Sequence, residues 1–246
     1  MRVVLTNDDG VGSAGLDALR RELEAEYEVW VFAPDRERSG TSHRITLNSP
    51  LMKKELDARV YSCSGSPADC VLLSVLGALP FKPDIVVSGI NIGPNIGTDI
   101  VYSGTAAAAR QAALMGIPSL AVSLDAVEAP FHFEPLARFV TSNLKEFVSL
   151  WDDSHFVNIN APNSMVYAGT SITLPSRRRY HDKLEELRLP DGNSCYYLHG
   201  PPPDTDEDPH SDWEALTRNR VSISPVLLQP AGRGEDERYH RARFTL

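Results

Sequence analysis

The sequence predicts an α/β fold built on a mostly parallel sheet, and three observations lead there. Short apolar runs rich in β-branched residues recur at Val3-Val4-Leu5, Val29-Trp30-Val31-Phe32-Ala33, Asp84-Ile85-Val86-Val87-Ser88 and Ser119–Ser123. Segments with helical periodicity lie between them, the alternation expected of buried parallel strands joined by crossover helices. The unusual polar stretches follow the strands, where ligands gather in open α/β sheets.

Each element has a local reason. Leu16, Leu19 and Leu23 recur at i, i+3 and i+7 after the first strand, which predicts an amphipathic helix. The second strand is stopped by Pro34. Two or three short extended segments are expected within Ile45–Tyr61. Pro67 suits the first turn of a helix running over Ala68–Leu79. A long glycine-bearing loop, Gly89–Tyr102, is expected after the third strand, and Ser103-Gly104-Thr105 opens an alanine-rich helix through Met115 that Gly116 ends. Leu136–Leu150 reads as another helix and Phe156–Asn160 as a strand. Beyond it the pattern thins: Pro201-Pro202-Pro203 and Asp204–Asp212 read as a surface loop, and Val221–Pro225 alternates as a strand. The charged tail Glu235–Arg243 reads as an arm that docks on a partner subunit. Residues 163–246 carry little readable chemistry, and a part in the pocket rim or in the subunit contact is open to them.

Composition narrows the function. The 246 residues are 42% hydrophobic and 23% charged, ordinary for a globular chain of one large domain or a core with an elaborated second half. A net charge of −9 argues against a nucleic-acid duplex or an anionic membrane as partner. A small anionic substrate stays open, because a metal and backbone amides create a local positive site. Cys63, Cys70 and Cys195 are odd in number and lack metal-ligand spacing, as expected of reduced cytosolic thiols. With no signal-peptide pattern near Met1 and no apolar stretch long enough to span a bilayer, a cytoplasmic protein is expected.

Chemistry concentrates in Asn7-Asp8-Asp9-Gly10, directly after the first strand. Adjacent carboxylates repel unless a cation lies between them, and a hard divalent metal removes that repulsion and attracts a phosphate. The polar segment Asp35–His43 follows the second strand, and Asn91–Thr105 follows the third. The oxygen donors this rim offers, Asp8, Asp9, a hydroxyl such as Ser39 and an amide such as Asn91, suit Mg²⁺, Mn²⁺ or Ca²⁺ rather than zinc. His43 is expected to pack or hydrogen-bond rather than to ligate. Ser103-Gly104-Thr105 would offer free amides, hydroxyls and the positive end of a helix dipole, an anion seat suited to phosphate. A plain N-cap explains the same residues.

Other readings share these residues. Gly10-Val11-Gly12-Ser13-Ala14-Gly15 matches the dinucleotide-binding pattern, with Asp35 about 20 residues on. That keeps a dinucleotide-binding oxidoreductase open, although two carboxylates stand between the strand and the first glycine. A non-catalytic nucleotide or signalling module is a further alternative. A phosphorelay receiver is disfavoured, since the third strand ends in Ser88-Gly89 rather than an acceptor aspartate and no lysine follows Ser119–Ser123.

Taken together, these stretches resemble the SurE family of metal-dependent 5′/3′-nucleotidases and acid phosphatases. The resemblance runs through Leu5-Thr6-Asn7-Asp8-Asp9-Gly10, Pro34-Asp35-Arg36-Glu37-Arg38-Ser39-Gly40 and Gly65-Ser66-Pro67-Ala68-Asp69-Cys70. It continues through Ser88-Gly89-Ile90-Asn91, Gly93, Asn95, Gly97, Asp99 and Tyr102-Ser103-Gly104-Thr105, then Asn158–Pro162 and Val221–Pro225. It is strong to about Ser123 and thin afterwards. It implies one divalent ion per subunit, Mg²⁺ or Mn²⁺ with Ca²⁺ able to occupy the site, on Asp8, Asp9, Ser39 and Asn91. It also implies a phosphate pocket around Asn95, Ser103, Gly104 and Thr105.

The implied fold is a Rossmann-like core with helices on both faces, about residues 1–160, within a single domain. A C-terminal extension, about 161–246, would exchange between subunits to give a homodimer or homotetramer. The expected reaction is hydrolysis of a nucleoside monophosphate (a 5′-nucleotidase, with 3′-nucleotides as further substrates) by metal-activated water, with Asp8, Asp9 and Asn95 as catalytic groups. Several positions depart from the family's usual text: Ser66, Ala106, Gln111-Ala112, Arg44 and Ser211-Asp212. None is a proposed metal ligand, and Arg44 would add positive charge beside the rim.

Overall fold

The computed structural model describes residues 1–229. The first strand, β1 (Arg2–Thr6), is followed by α1 (Ala14–Glu24), β2 (Glu28–Pro34), β3 (Lys53–Asp57) and β4 (Val60–Cys63). Next come α2 (Pro67–Leu73), β5 (Ile85–Ile92), α3 (Gly104–Leu114), β6 (Ser119–Asp125), α4 (Phe133–Leu150) and β7 (His155–Pro162). The later segment holds β8 (Thr170–Ile172), β9 (Arg178–Arg179), β10 (Lys183–Arg188), β11 (Ser194–His199), β12 (Asp204–Thr205), α5 (Asp212–Thr217) and β13 (Val221–Leu227).

Nine strands form the main sheet in the order β3-β4-β2-β1-β5-β6-β7-β13-β8. The run from β4 to β7 is parallel throughout, β3 is antiparallel to β4, and β13 returns antiparallel beside β7. The chain thus winds outward in one direction from β1 and in the other from β5. The two strands are neighbours, so the switch point lies between their carboxyl ends.

Strand alternation explains the two cores. Val3, Leu5, Val29, Val31, Ile85 and Val87 face Leu16, Leu19 and Leu23 of α1 and Leu136, Val140 and Leu144 of α4. Their neighbours Val4, Phe32 and Val86 face the other way, onto Cys70 and Val71 of α2 and Ala108 and Ala112 of α3. Leu19 is fully buried, and Leu19→Ala would cost about 2–5 kcal/mol through lost transfer energy and the cavity left behind. Helix α3 buries Ala106, Ala107, Ala108 and Ala109 completely, small side chains that let it lie close against the sheet.

The structure corrects several boundaries. The expected loop Gly89–Tyr102 is partly ordered: β5 continues to Ile92, and a 3₁₀ turn occupies Gly97–Val101. Within Ile45–Tyr61, pairing begins only at Lys53. The helix expected to reach Leu79 is regular to Leu73 and then widens over Ser74–Ala78, where Gly77 has φ 119°. The long helix α4 starts at Phe133, since Pro135 is tolerated in a first turn. The surface loop expected at Asp204–Asp212 is also wrong in part: β12 pairs with β9, and Asp212 is fully buried at the start of α5. The tail Glu235–Arg243 lies outside the described residues.

Candidate active site

Asp8 and Asp9 leave the end of β1 at the switch point, and their environments differ sharply. Asp8 is almost wholly buried, and its Oδ2 accepts the amides of Gly104 and Thr105 at 3.1 and 3.2 Å. The Thr105 hydroxyl donates to its Oδ1. The carboxylate therefore closes the first turn of α3, where the helix dipole favours negative charge. Burial nevertheless raises the Asp8 pKa, and the Thr105 and Gly104 hydrogen bonds offset only part of that rise. Gly104 permits the close approach: a Cβ there would lie 2.8 Å from the Asp8 Cβ.

This geometry corrects one expectation about the helix start. The amides expected to be free at Ser103–Thr105 are already used. Gly104 and Thr105 donate to Asp8, the Ala106 amide donates to Ser103 Oγ at 3.0 Å, and the Ser103 amide donates to the Asp99 carbonyl at 3.2 Å. A carboxylate from the same chain has taken the place an external anion would occupy.

Asp9 is only half-buried, yet its Oδ2 is enclosed and has no hydrogen-bond partner among the described residues. Desolvation, then the charges of Asp8 and Glu37, push its pKa up to about 6. The backbone amide of Ile92 gives the only lowering contribution. An enclosed carboxylate oxygen beside a second carboxylate is costly without a cation.

The expected ligands Ser39 and Asn91 are brought to the same rim. The Arg38 amide donates to the Asp8 carbonyl at 2.7 Å, which hangs the segment after β2 on the aspartate pair. Ser39 is exposed, and its hydroxyl donates to Glu37 Oε1 at 3.0 Å. Asn91 is re-aimed by a bulge in β5: Ser88 pairs with Ala121, but Asn91 pairs with Ser123, one residue out of step. Gly89 sits in that bulge with φ 144°, and a Cβ there would meet the Val122 carbonyl oxygen at 2.3 Å. The Asn91 amide nitrogen donates to the Ile92 and Gly93 carbonyls, which leaves its side-chain oxygen as the end available to a ligand.

Asp8, Ser39, Asn91, Asn95 and Ser103 line one cavity of about 290 Å³. Gly104 and Thr105 stand behind Asp8. Asn95 is held from several directions: its amide donates to Asn160 Oδ1 at 2.8 Å, its Nδ2 donates to Ser123 Oγ at 2.9 Å, and its carbonyl accepts Asn158 Nδ2 at 2.8 Å. Asn158 and Asn160 are buried polar residues on one face of the otherwise apolar β7, a pattern visible in the sequence that was given no role. Asp99, quoted above only for the family resemblance, and Tyr180 also line the cavity. His43 hydrogen-bonds Gln111 across 2.9 Å, in keeping with the packing role expected of it.

The glycine-rich stretch serves the turn. Asn7 Oδ1 accepts the Gly10 amide at 3.2 Å, and Asn7 Nδ2 donates to the Gly10 carbonyl and Ser13 Oγ at 3.0 and 2.6 Å. The Val11 amide donates to Pro34 and the Ser13 amide to Gly10. A Cβ on Gly15 would meet the Ile90 carbonyl oxygen at 2.0 Å, so this glycine is required for α1 to lie against β5. With the Gly10, Val11 and Ser13 amides committed internally, the loop lacks the open amide cradle that a pyrophosphate needs.

Known proteins resemble this chain along nearly its whole length. The family model described as "Survival protein SurE" matches residues 3–182. The 5′-nucleotidase SurE of Thermosipho africanus is 41% identical over 236 residues, covering 93% of this chain and 92% of that protein. The 5′-nucleotidase SurE of Rubrobacter xylanophilus is 41% identical over 264 residues, covering 100% of both. The crystal structure of the SurE protein from Aquifex aeolicus superposes with a TM-score of 0.86 at 32% identity, covering 98% of this chain and 100% of that one. On the family-model match and these full-length likenesses, the chain belongs to the SurE family.

Proposed function

We propose that the protein is a metal-dependent phosphomonoesterase that hydrolyses nucleoside monophosphates: a 5′-nucleotidase, with 3′-nucleotides as a second substrate set. The observation that carries this reading is the enclosed Asp9 Oδ2, without a hydrogen-bond partner among the described residues, beside an Asp8 held by three hydrogen bonds. Relatives named 5′-nucleotidase SurE, 41% identical over 93% and 100% of the chain, support the substrate class.

The donor set fits a hard divalent cation. Asp8, Ser39 and Asn91 line the cavity and Asp9 adjoins Asp8 in the chain; all four are oxygen donors, and Asp9 Oδ2 has no hydrogen-bond partner among the described residues. Mg²⁺ or Mn²⁺ would be held there, one per subunit, with Ca²⁺ a competent occupant. Bound there, it supplies Lewis acidity toward phosphoryl oxygens and water.

The chain's own groups do the rest. Ser103 Oγ accepts the Ala106 amide, so its proton is left to donate to a phosphoryl oxygen. Asn95 Nδ2 donates one proton to Ser123 and keeps a second for the same purpose. Gly104 and Thr105 act through Asp8, fixing its carboxylate while phosphate enters. Of the two carboxylates, Asp9 is the less engaged by hydrogen bonds within the chain, which supports it as the acceptor of a proton from attacking water.

We assign the enzyme to the cytoplasm, an assignment that three free cysteines support. We assign assembly into a homodimer or homotetramer to the segment after about residue 160. Its β10–β11 hairpin exposes Leu184, Leu187, Tyr196, Tyr197 and Leu198, which supports a role between subunits.

Phosphate release from AMP with Mn²⁺, its loss in EDTA and its return on adding Mn²⁺ is the expected outcome. Undiminished turnover in EDTA would overturn the metal mechanism, and no release from any nucleoside monophosphate would overturn the function.

A further inference from the structure

The cavity that holds Asp8 and Ser103 is also lined by Tyr180, which comes from the later segment directly after β9. At about 290 Å³ it is larger than a phosphate alone needs and close to the lower bound of about 300 Å³ typical of small-molecule sites. Part of it is therefore shaped for what the phosphate is attached to.

Tyr180 combines an open ring with a fixed position. The residue is 45% exposed, yet its hydroxyl donates to Asp99 Oδ1, and Asp99 belongs to the turn that precedes Ser103. The other Asp99 oxygen is engaged by the Arg178 guanidinium. The β9 backbone is pinned to the same turn: Thr98 Oγ1 donates to the Arg178 carbonyl at 3.0 Å, and the Arg178 amide donates back at 3.1 Å. Arg178 also stacks over Trp213, with its guanidinium carbon 5.8 Å from the ring centroid.

We infer that the Tyr180 ring is the platform on which the base of a nucleoside monophosphate stacks, an inference that rests on the nucleotidase reading above. Three features favour this over a plain surface tyrosine. The ring is held by its hydroxyl, so little conformational freedom is lost when a base lies against it. Arg178 neutralises Asp99, so the wall does not repel an incoming phosphate. Burial and the Asp99 hydrogen bond push the phenol up to about 12, so it stays neutral and keeps its anchor.

The same anchoring sets specificity. A hydroxyl committed to Asp99 is not available to read base edges. Stacking is tolerant of base identity because every base presents a π-face. The platform therefore selects nucleotides over base-free phosphate esters and discriminates little among the bases.

The test compares AMP with ribose 5-phosphate, the same sugar phosphate without its base, in the Mn²⁺-loaded enzyme. In Tyr180→Leu the kcat/KM ratio of AMP to ribose 5-phosphate should fall about tenfold, mainly through KM for AMP, in line with a stacking loss of about 1–3 kcal/mol. Tyr180→Phe keeps the ring but loses its anchor to Asp99, so its ratio should fall between those of wild type and Tyr180→Leu. Equilibrium dialysis of adenosine, which carries no phosphate, should show the same weakening in Tyr180→Leu. A Tyr180→Leu ratio equal to that of wild type, with both substrates losing together, would reduce Tyr180 to a structural prop and overturn the inference. A wild-type enzyme that turns over both esters equally well would also overturn it. Release of phosphate from neither ester would instead overturn the nucleotidase reading itself.

Discussion

The cavity is walled by two regions of different construction. The part built by the strand ends of the core carries Asp8, Asn91, Asn95 and Ser103, each held by hydrogen bonds within the chain, while Asp9 Oδ2 beside them has no partner among the described residues. The part contributed by the later segment offers one open tyrosine, held through a turn, an ion pair and a pair of backbone contacts. An over-determined wall suits groups that must not move during chemistry, whereas an open one suits contact with a substrate that arrives and leaves. Changes in the first region should therefore act on kcat, and changes at the exposed positions of the second on KM or assembly.

The largest break in that comparison should come from replacing both Asp8 and Asp9 with alanine. Phosphate release from AMP is expected to fall by about 10³-fold or more, since the site's negative charge and the acceptor for the α3 amides are both lost. Retention of a tenth of wild-type turnover would contradict the role given to the pair.

A subtler change tests whether placement rather than charge matters. Gly104→Ala adds a good helix former to the first turn of α3, but its Cβ would crowd the Asp8 carboxylate, which lies within 2.9 Å of it. Turnover should drop about 10–100-fold through displacement of Asp8. An alanine variant with full kcat would show that Asp8 need not be held so tightly.

Asp212 is the exception that sharpens the comparison. It lies in the later segment, yet Oδ2 accepts the Gly97 amide at 2.8 Å and Oδ1 accepts the Ser176 amide at 2.9 Å, tying the site turn to the strap that carries Tyr180. Asp212→Ala leaves those buried amides without an acceptor. A stability loss of about 2–3 kcal/mol is expected, a fall of roughly 4–12 °C in Tm for a chain of this size. Calorimetry of the metal-free protein checks it, and an unchanged Tm would mean that water replaces the carboxylate.

The smallest effect is expected on the β10–β11 hairpin. Leu184→Ser alters a side chain that is 65% exposed, so the subunit's own stability should move by less than about 0.5 kcal/mol. Its signature should be a change in oligomeric state by light scattering. A large loss of stability with no change in assembly would place the hairpin in the fold rather than between subunits.

The core was legible because two physical periods coincide there. Strands buried on both faces read as continuous apolar runs, and Leu16, Leu19 and Leu23 mark a helix with one dry face. The carboxylates at the end of β1 were legible because like charges side by side need an explanation. What sequence reasoning missed depends on long-range contact. That the α3 amides are taken by Asp8 is a contact across 96 residues, and nothing in Ser103-Gly104-Thr105 reports it. Asp212 sits among prolines and acids that spell a surface loop, and only its distant amide partners bury it. Tyr180 lies where the strand pattern has faded, and its importance arises from Asp99, 81 residues earlier. The extension of β5 through Gly89 to Ile92 was hidden because a bulge breaks the expected alternation. Asn158 and Asn160 were within reach: two buried amides spaced to one face of an apolar strand ask for a polar partner, and that partner is Asn95.

Asp9 is central to the proposed metal site, and calorimetric titration of Mn²⁺ into the metal-free protein tests that role most directly. Wild-type protein should bind one Mn²⁺ per chain. Asp9→Asn removes the enclosed carboxylate oxygen and one of two adjacent negative charges. It should lose that binding by at least about tenfold in affinity, with a Tm no lower than that of metal-free wild type. Equal Mn²⁺ affinity in wild type and Asp9→Asn would contradict the account.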